Sequence, residues 1–292
     1  LFPEVYGNNI VCNVVTKEPS ITLVGHLDTV SLSDESQLNP RQEKGRVYGR
    51  GSCDMKAGLA VMLELSKLKN TRYGLNLVFY EGEEGPLPNS VTELINDQRL
   101  FFNSQYVVLE PTNCEVYNGC NGRLLSVVNV LGEATHSSTP EQGVNAVRKA
   151  IPLINQVLSD DRLTLTGVQT SNSFNQVPGE CTIYVDYRFK PSLSLAQAKQ
   201  EVSSLFQEHP HDFLDESPSC LYQPTGLLAE LTDLISEPRQ MNAWTDIAQL
   251  NNNDLPAINY GPGDLRNAHT KNEYVELNQL NKCYNTLKKF LT

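Results

Sequence analysis

Short apolar runs alternate with helical patterns in the first 110 residues. Runs rich in β-branched residues and bounded by Lys, Pro and Ser predict buried strands over residues 10–15, 21–25, 75–80 and 106–109. Apolar residues at i, i+3, i+4 and i+7 predict a helix over 57–69, and 89–97 is a second predicted helix. Strands alternating with helices indicate an α/β layer, in which ligand sites collect at the carboxyl ends of the strands.

The pattern changes after about residue 122. Strands are predicted at 124–131, 163–170, 181–189 and 213–221, and helices at 144–158 and 193–208. In the strand 181–189, Ile183, Val185, Tyr187 and Phe189 alternate with residues that face the other way, which predicts a core face. The resulting β-α-β-β-α-β order is typical of a ferredoxin-like α+β unit. A helix at 226–235, a strand at 254–260 and a helix at 278–291 then return to the first pattern. We therefore predict a discontinuous first domain, 1–121 and 225–292, with a second domain inserted at 122–224.

Composition narrows the function classes. The chain has 292 residues, of which 39% are hydrophobic and 20% charged, which is typical of a folded globular protein. Its 23 Lys and Arg against 34 Asp and Glu give a net charge of −11, so we expect no nucleic-acid partner. No apolar run approaches the length that a membrane-spanning helix needs, so we expect no such helix. Seven scattered cysteines without a C-x-x-C pair favour reduced thiols in a cytoplasmic protein.

A histidine and an aspartate follow the predicted strand 21–25. Side chains at i and i+2 of a strand share one face, so His26 and Asp28 are expected side by side. A carboxylate beside an imidazole fixes its tautomer and raises its basicity as a metal ligand. The alternative is a capping Asp beside a surface His.

Carboxylates occur at three further element ends. Asp54 precedes the helix 57–69 in G-R-G-S-C-D-M-K-A-G, where it is either an N-cap or a group aimed at a cation. Glu83 and Glu84 follow the strand 75–80, where adjacent carboxylates repel one another unless a cation or a proton intervenes. One could bind a metal while the other acts on a water; the alternative is an acidic, solvated turn. Glu110 ends an apolar strand, where a carboxylate needs a partner or a metal.

Taken together, these groups predict a metal site. His269 lies in a Gly/Pro loop after the strand 254–260, so His26, Asp54, Glu84, Glu110 and His269 would all meet at one rim of the sheet. Two imidazoles and three carboxylates can hold two divalent ions if one carboxylate bridges. Mixed nitrogen and oxygen ligation suits two Zn²⁺, with Co²⁺ or Mn²⁺ as replacements.

Six ordered motifs carry a family resemblance. They are G-H-L-D-T-V, Y-G-R-G-S-C-D-M-K-A-G, E-G-E-E-G, L-E-P-T, H-S-S-T-P-E-Q-G-V-N-A and G-P-G-D-L-R-N-A-H-T. Their order resembles the M20 family of dinuclear zinc aminoacylases and peptidases. The resemblance implies a zinc-peptidase-like catalytic domain with an inserted ferredoxin-like lid and dimerisation domain. Within the family, the segment A-W-T-D-I-A-Q-L and the motif after it are most similar to the succinyl-diaminopimelate desuccinylases, with the acetylornithine deacetylases second.

The resemblance also implies a role for each site residue. His26 and Glu110 would complete one metal site and Glu84 and His269 the other, with Asp54 bridging. Asp28 would orient His26, and Glu83 would be the general base. The family commonly has a cis peptide after the bridging Asp, here Asp54-Met55.

Residues of the inserted domain and two later positions complete the implied site. His136 matches a lid histidine that reaches the active site of the partner subunit in dimeric members, so a homodimer is expected. Asn175 and Arg188 match lid positions that contact substrate, and Thr245 and Gly263 would contact a substrate carboxylate.

The implied reaction is hydrolysis of an N-acyl amino acid, with N-succinyl-LL-2,6-diaminopimelate as the first substrate candidate. Acetylornithine, another N-acyl amino acid or a small peptide is the alternative within the same chemistry. From other classes, a two-metal phosphoesterase and an inactive metal-binding homologue acting as an interaction module are the alternatives. The sequence shows no basic loop that would cradle a phosphate, so it does not favour the phosphoesterase.

Overall fold

The computed structural model describes residues 2–85, 89–170, 173–206 and 209–292. In chain order, its strands are β1 (Phe2–Tyr6), β2 (Asn9–Val15), β3 (Ser20–His26), β4 (Arg41–Glu43), β5 (Arg46–Tyr48), β6 (Gly74–Tyr80), β7 (Ser104–Val108), β8 (Tyr117–Cys120), β9 (Gly122–Leu131), β10 (Thr135–His136), β11 (Leu163–Gln169), β12 (Gln176–Val177), β13 (Glu180–Phe189), β14 (His211–Ser217), β15 (Cys220–Leu221), β16 (Arg239–Met241), β17 (Ala257–Asn259) and β18 (Tyr274–Glu276). Its α-helices are α1 (Lys56–Leu65), α2 (Ser90–Asn96), α3 (Ala146–Leu158), α4 (Leu195–Phe206), α5 (Gly226–Ile235), α6 (Ile247–Asn251) and α7 (Leu277–Leu291). Short 3₁₀ turns occupy Glu35–Leu38, Pro140–Gln142 and Leu265–Asn267.

The chain divides into two compact units. The first unit comprises Leu1–Cys120, Cys220–Met241 and Thr245–Thr292, and the second comprises Asn121–Ser219 and Asn242–Trp244. The domain limits predicted above, 1–121 with 225–292 and 122–224, stay a prediction. Among the described residues, no helix is both long and apolar enough to cross a membrane.

One large sheet organises the first unit. Its described strands run in the order β1-β2-β6-β3-β7-β17-β8-β15, with β16 beside β8. The four neighbours β6, β3, β7 and β17 are parallel, so their carboxyl ends meet at one edge. β3 and β6 are buried at every position, which explains their continuous apolar sequence. The predicted strands for β2, β3, β6 and β7 are confirmed to within two residues.

Three helices pack into the core beside this sheet. Buried residues of α1, α5 and α7, such as Met62, Leu228 and Leu287, form one cluster with Leu23 and Leu77 of the strands. Burying one such side chain contributes about 1.5–3 kcal/mol. This apolar cluster fixes the strands, and therefore the positions of the residues that follow them.

Two glycines allow the chain to approach the end of β7 closely. A Cβ on Gly58 of α1 would lie 2.5 Å from the carbonyl oxygen of Leu109, and one on Gly261 would lie 2.4 Å from that of Glu110. Only glycine leaves room for these contacts. The segment that carries Glu110 is therefore held between α1 and the loop after β17.

Some predicted elements differ from the observed ones. The helix predicted over 57–69 ends at Leu65, where Ser66 is the C-cap and its hydroxyl donates to the carbonyl of Leu63. The strand predicted over 254–260 is limited to β17. β1, an exposed edge strand joined to β2 by a tight turn at Gly7, was not predicted, because its polar and Pro residues break the apolar pattern.

The second unit has the predicted ferredoxin-like arrangement. Its four-stranded antiparallel sheet has the order β11-β13-β9-β14, and α3 and α4 pack against it. The inward face of β13 contributes Ile183, Val185, Tyr187 and Phe189 to the core, as the alternation predicted. The last two residues of the predicted helix 193–208 lie outside the described residues.

The predicted closing strand 213–221 is wrong as a single element. It consists of β14, which pairs with β9, and β15, whose Cys220 pairs with Cys120 in the large sheet of the first unit. Pro218 separates the two strands; because proline has no N–H, it interrupts a ladder of strand hydrogen bonds.

A small sheet in the first unit brings two distant segments together. Its described strands run β18-β5-β4, and β5 pairs antiparallel with β18 from Tyr48 opposite Tyr274 to Arg46 opposite Glu276. Arg50, just after β5, therefore comes next to Glu273, just before β18.

Candidate metal centre

Five side chains from separate parts of the first unit meet at the carboxyl edge of the parallel strands. His26 ends β3, Glu84 follows β6 and Glu110 follows β7. His269 lies in the loop after β17, and Asp54 lies just before α1. The fold thus explains why residues far apart in sequence are close in space: parallel neighbours deliver their carboxyl ends to the same edge.

The first group of these side chains is buried. It contains His26, Asp54 and Glu110, whose candidate ligand atoms all lie within 4.8 Å of one another. His26 Nε2 lies 3.1 Å from Asp54 Oδ1 and 3.9 Å from Glu110 Oε1. Glu110 Oε1 is buried and has no hydrogen-bond partner. A buried carboxylate oxygen without a partner is costly, and a cation in this position would satisfy it.

The second group shares Asp54 with the first. It contains Asp54, Glu84 and His269, again with ligand atoms within 4.8 Å of one another. His269 Nε2 lies 2.9 Å from Glu84 Oε1 and 3.3 Å from Asp54 Oδ2. Asp54 therefore faces one histidine with Oδ1 and the other with Oδ2, which is the arrangement that a bridging carboxylate requires.

Asp28 connects the two sides of the centre. Its Oδ1 lies 3.6 Å from His26 Nδ1, and its carboxylate accepts the backbone N–H groups of Glu83 and Glu84 at 3.4 and 3.1 Å. The backbone oxygen of Asp28 also lies 3.0 Å from His26 Nδ1. A proton on Nδ1 would leave Nε2, which faces Asp54 and Glu110, free to bind a cation.

The carboxylates of the centre have divergent pKa values. Burial raises the pKa of Glu110 to about 8, and the charge of Asp54 acts in the same direction. Removal from water and the charge of Glu110 raise the pKa of Glu83 well above its usual value. Burial would also raise the pKa of Asp54, but hydrogen bonds with His26 and His269 outweigh it and lower the pKa to about 2. Such opposed shifts among neighbouring carboxyls are typical of functional sites.

In the absence of a cation, the same carboxylates favour the protonated forms of the two histidines. Burial would lower the pKa of His26, but hydrogen bonds with Asp28 and Asp54 raise it well above its usual value. Hydrogen bonds with Asp54 and Glu84 raise the pKa of His269 to about 10. The cluster thus attracts positive charge strongly, and its mixed imidazole and carboxylate donors fit divalent cations such as Zn²⁺.

The N-cap alternative for Asp54 is wrong. The residue before α1 is Met55, which makes no side-chain cap, and the Asp54 carboxylate faces the two histidines instead. The Asp54-Met55 peptide is cis, as the resemblance implied.

The other predicted residues of the first unit have structural partners. Thr245 is buried, and its hydroxyl accepts from the Asn259 amide at 2.8 Å. Gly263 has a φ of +98°, and a Cβ there would lie 2.8 Å from Cys53 Sγ. Their roles toward substrate stay predictions.

In the second unit, His136 and Asn175 come together. His136 lies in β10, which pairs with β12, and the backbone oxygen of Asn175 accepts the N–H of Ser137 at 2.9 Å. The imidazole of His136 is exposed, with Nδ1 2.7 Å from the hydroxyl of Ser138. Arg188 lies on β13 with its Nε 3.0 Å from Asp186 Oδ1. Their roles also stay predictions.

Several buried polar residues near the predicted motifs were not identified from the sequence. Asp246 is fully buried and accepts from the hydroxyl of Tyr80 and from the Asn89 amide at 2.8 Å. Glu273 is buried against Arg50. In the sequence, each of these residues is a single acidic residue beside apolar ones, as in Asp246-Ile247 and Glu273-Tyr274-Val275. Such a pattern does not distinguish a buried carboxylate from one on the surface.

Comparisons with known proteins find relatives over most of the chain. A model of the peptidase family M20/M25/M40 matches residues 22–292. The succinyl-diaminopimelate desuccinylase of Corynebacterium glutamicum is 26% identical, over 98% of this chain and 85% of its own. The acetylornithine deacetylase of Myxococcus xanthus is 25% identical, over 90% and 77% of the two chains.

A solved structure shows the same fold. The crystal structure of a tripeptidase from Staphylococcus aureus superposes with a TM-score of 0.79 at 19% identity, covering 97% of this chain and 83% of that one. The family match spans nearly the whole chain and includes every residue of the two ligand groups. The chain therefore belongs to the peptidase family M20/M25/M40.

Proposed function

We propose that this chain is a dinuclear zinc amidohydrolase that removes an N-acyl group from an amino acid. The proposed reaction converts N-succinyl-LL-2,6-diaminopimelate and water to succinate and LL-2,6-diaminopimelate, a step of lysine biosynthesis. The single observation that carries the proposal is the position of Asp54, whose two carboxylate oxygens lie 3.1 Å from His26 Nε2 and 3.3 Å from His269 Nε2.

The proposed ligand sets follow the two groups. His26, Asp54 and Glu110 would hold one Zn²⁺, and Asp54, Glu84 and His269 would hold the other, with Co²⁺ or Mn²⁺ as substitutes. Bound there, two divalent cations would polarise the amide carbonyl and make water more acidic. Asp28 would orient His26. Because its carboxylate also accepts the N–H groups of Glu83 and Glu84, it would hold the loop that carries these two glutamates.

Glu83 is the proposed general base. Removal from water raises the pKa of its carboxyl, which strengthens it as a proton acceptor. Glu83 would take a proton from the attacking water as the new carbon–oxygen bond forms. It would then deliver that proton to the amine nitrogen as the carbon–nitrogen bond breaks, so the carboxylate is regenerated.

The inserted unit supplies the remaining proposed contacts. His136 of the partner subunit in a homodimer would donate a hydrogen bond to the carbonyl oxygen as it gains charge. Asn175 and Arg188 would contact the substrate, together with Thr245 and Gly263. All seven cysteines are free and buried, which supports a cytoplasmic location.

Mixed dimers test the sharing of a site between subunits. A His136→Ala subunit and a Glu83→Gln subunit are each expected to be nearly inactive alone. After mixing and exchange, a subunit with intact Glu83 would receive His136 from its partner, so part of the activity should return. Absence of any rescue, with exchange verified by mass, would contradict the shared site.

A two-substrate assay tests the reaction. With two equivalents of zinc, the full chain should hydrolyse N-succinyl-LL-2,6-diaminopimelate with a higher kcat/KM than N-acetylornithine. The similarity to an acetylornithine deacetylase makes the reverse preference the second candidate. Release of succinate or acetate with the free amine, measured by mass spectrometry, distinguishes the two. No hydrolysis of either substrate, or of a tripeptide panel, would overturn the proposal.

A further inference from the structure

A buried ion pair, Arg50–Glu273, contacts the backbone of Asp54. Arg50 Nη1 donates to Glu273 Oε2 at 2.7 Å, and the two side chains are only 4% and 1% exposed. A buried ion pair is weak evidence for stability, because the cost of removing both charges from water can exceed their attraction. What else the pair contacts is therefore the informative feature.

The other carboxylate oxygen of Glu273 holds the backbone of the bridging residue. Glu273 Oε1 accepts the N–H of Cys53 at 3.0 Å and the N–H of Asp54 at 3.2 Å. Arg50 fixes one oxygen of this carboxylate, so the other is held as a rigid acceptor for the loop. Glu273 therefore sets the position from which the Asp54 side chain reaches both histidines.

The same network extends to the segment of His269. Arg50 Nη2 lies 3.4 Å from Gln37 Oε1, and the Gln37 amide donates to the carbonyls of Thr270 and Lys271 at 3.1 and 3.2 Å. These carbonyls come directly after His269, which has a left-handed φ of 60°. One buried network thus contacts the backbone of Asp54 and the backbone beside His269.

We propose that Glu273, held by Arg50, is a positioning residue that sets the affinity of the second cation, the one proposed to bind Asp54, Glu84 and His269. This inference rests on the proposed two-cation function. The second group depends on the network at both Asp54 and the His269 segment, and the side chain of His269 is 49% exposed. The first group is buried throughout, and within the described part of the chain the network reaches it through the N–H of Asp54, so a disturbance should weaken the second cation more than the first.

Glu273→Gln tests the proposal in the full chain. The amide keeps the size of the side chain but has only one accepting oxygen. Its NH₂ must therefore face either the Arg50 guanidinium or the N–H groups of Cys53 and Asp54. We expect the Kd of the second Co²⁺ to rise about 10–100-fold, with a smaller change for the first. Titration of the metal-free protein with Co²⁺, followed by visible absorption, and zinc content after dialysis against buffered Zn²⁺ measure both equivalents.

A matched control separates positioning from general destabilisation. Gln105 Oε1 accepts the N–H of Leu228 at 2.9 Å in the same unit, so Gln105→Met also removes a side-chain acceptor from a backbone N–H. This variant should lower Tm while leaving both Co²⁺ affinities unchanged. If Gln105→Met weakens the second cation as much as Glu273→Gln does, the proposal is overturned.

A double variant covers the case in which Glu273→Gln fails to fold. Arg50→Met with Glu273→Leu replaces the buried pair by apolar side chains, a change that is often neutral or stabilising. We expect a folded metal-free chain whose Tm falls because the N–H groups of Cys53 and Asp54 lose their acceptor, with the second Co²⁺ still weakened. Wild-type affinity for the second Co²⁺ in a folded variant overturns this proposal alone. A wild-type chain that binds no second cation overturns the proposed function as well.

Discussion

Two clusters of charged residues, one in each unit, differ in how their charges are balanced. In the second unit, Arg123 contacts Asp186 and Asp215 at 2.8 and 3.0 Å, and Arg188 contacts Asp186 at 3.0 Å. Two guanidinium groups thus face two carboxylates. The cluster neutralises itself with side chains of its own.

The metal centre of the first unit has no such balance. Five carboxylates, those of Asp28, Asp54, Glu83, Glu84 and Glu110, are gathered around two imidazoles. One buried oxygen of Glu110 has no hydrogen-bond partner. The comparison shows what distinguishes a structural ion-pair cluster from a candidate cation site: an excess of carboxyl groups over the cationic side chains that face them.

The largest expected effect comes from the residue shared by both groups. Asp54→Asn keeps the size of the side chain, but its single accepting oxygen cannot serve both sides. We expect fewer than one bound zinc per chain by elemental analysis and no measurable hydrolysis. Retention of two zinc ions by a folded Asp54→Asn chain would show that Asp54 does not bridge.

The matched change in the balanced cluster should have a different outcome. Asp186→Asn leaves Arg123 and Arg188 facing a neutral amide, so the free energy of unfolding should fall by about 1–3 kcal/mol. This decrease is smaller than that for breaking a fully buried ion pair, because both arginines are about a third exposed. Zinc content should stay at two per chain. Loss of zinc in this variant would break the contrast between the clusters.

Glu83→Gln should separate chemistry from metal binding within the first cluster. Loss of a positioned general base should lower kcat by about 10²–10⁴-fold, while both cations stay bound. Glu84→Ala is the comparison, because it removes a proposed ligand and should lower zinc content as well. A Glu83→Gln chain with wild-type kcat would exclude Glu83 as the base.

Chelation should make the stability of the first unit depend on pH. Without cations, the pKa of Glu110 is about 8 and that of His269 about 10, against 4.5 and 6.5 in an unfolded chain. The folded state then binds more protons than the unfolded state above neutral pH, so stability falls as the pH rises from 7 to 8.5.

Zinc should reverse this trend. Cation binding requires deprotonated ligands, so its contribution grows with pH, reaching about 2.7 kcal/mol at a free concentration a hundredfold above Kd. Calorimetry should therefore show Tm values of the chelated and zinc-loaded protein diverging between pH 7 and 8.5. Parallel curves would contradict the proposed ligand set.

The sequence predicted those parts of the fold and site that have a local pattern. Apolar runs located the central strands, and the carboxyl-end rule placed His26, Glu84 and Glu110 at one edge. The alternation in β13 located the core face of the second unit. Pairing between β8 and β15 had no such signal, since only the fold shows that the chain changes sheets at Pro218.

Residues that act through the backbone were also missed. Glu273 binds the N–H groups of Cys53 and Asp54, which are 220 and 219 residues away along the chain, and backbone N–H groups have no sequence signature. The same holds for Gln37, which contacts the carbonyls after His269. Side-chain motifs thus predict which groups meet at a site, whereas the contacts that hold those groups in place require coordinates.

The smallest expected effect concerns Arg188, which contacts Asp186 and is proposed to bind a carboxylate of the substrate. If its guanidinium binds a substrate carboxylate, Arg188→Lys should raise KM about tenfold with kcat nearly unchanged, because a lysine keeps the charge but not the paired N–H donors. Arg123→Lys is the matched control, since Arg123 shares Asp186 with Arg188. An equal rise in KM for both variants would mean that the change acts through the ion-pair cluster and not through a substrate contact of Arg188. A rise confined to Arg188→Lys means that this arginine leaves the balanced cluster to bind substrate.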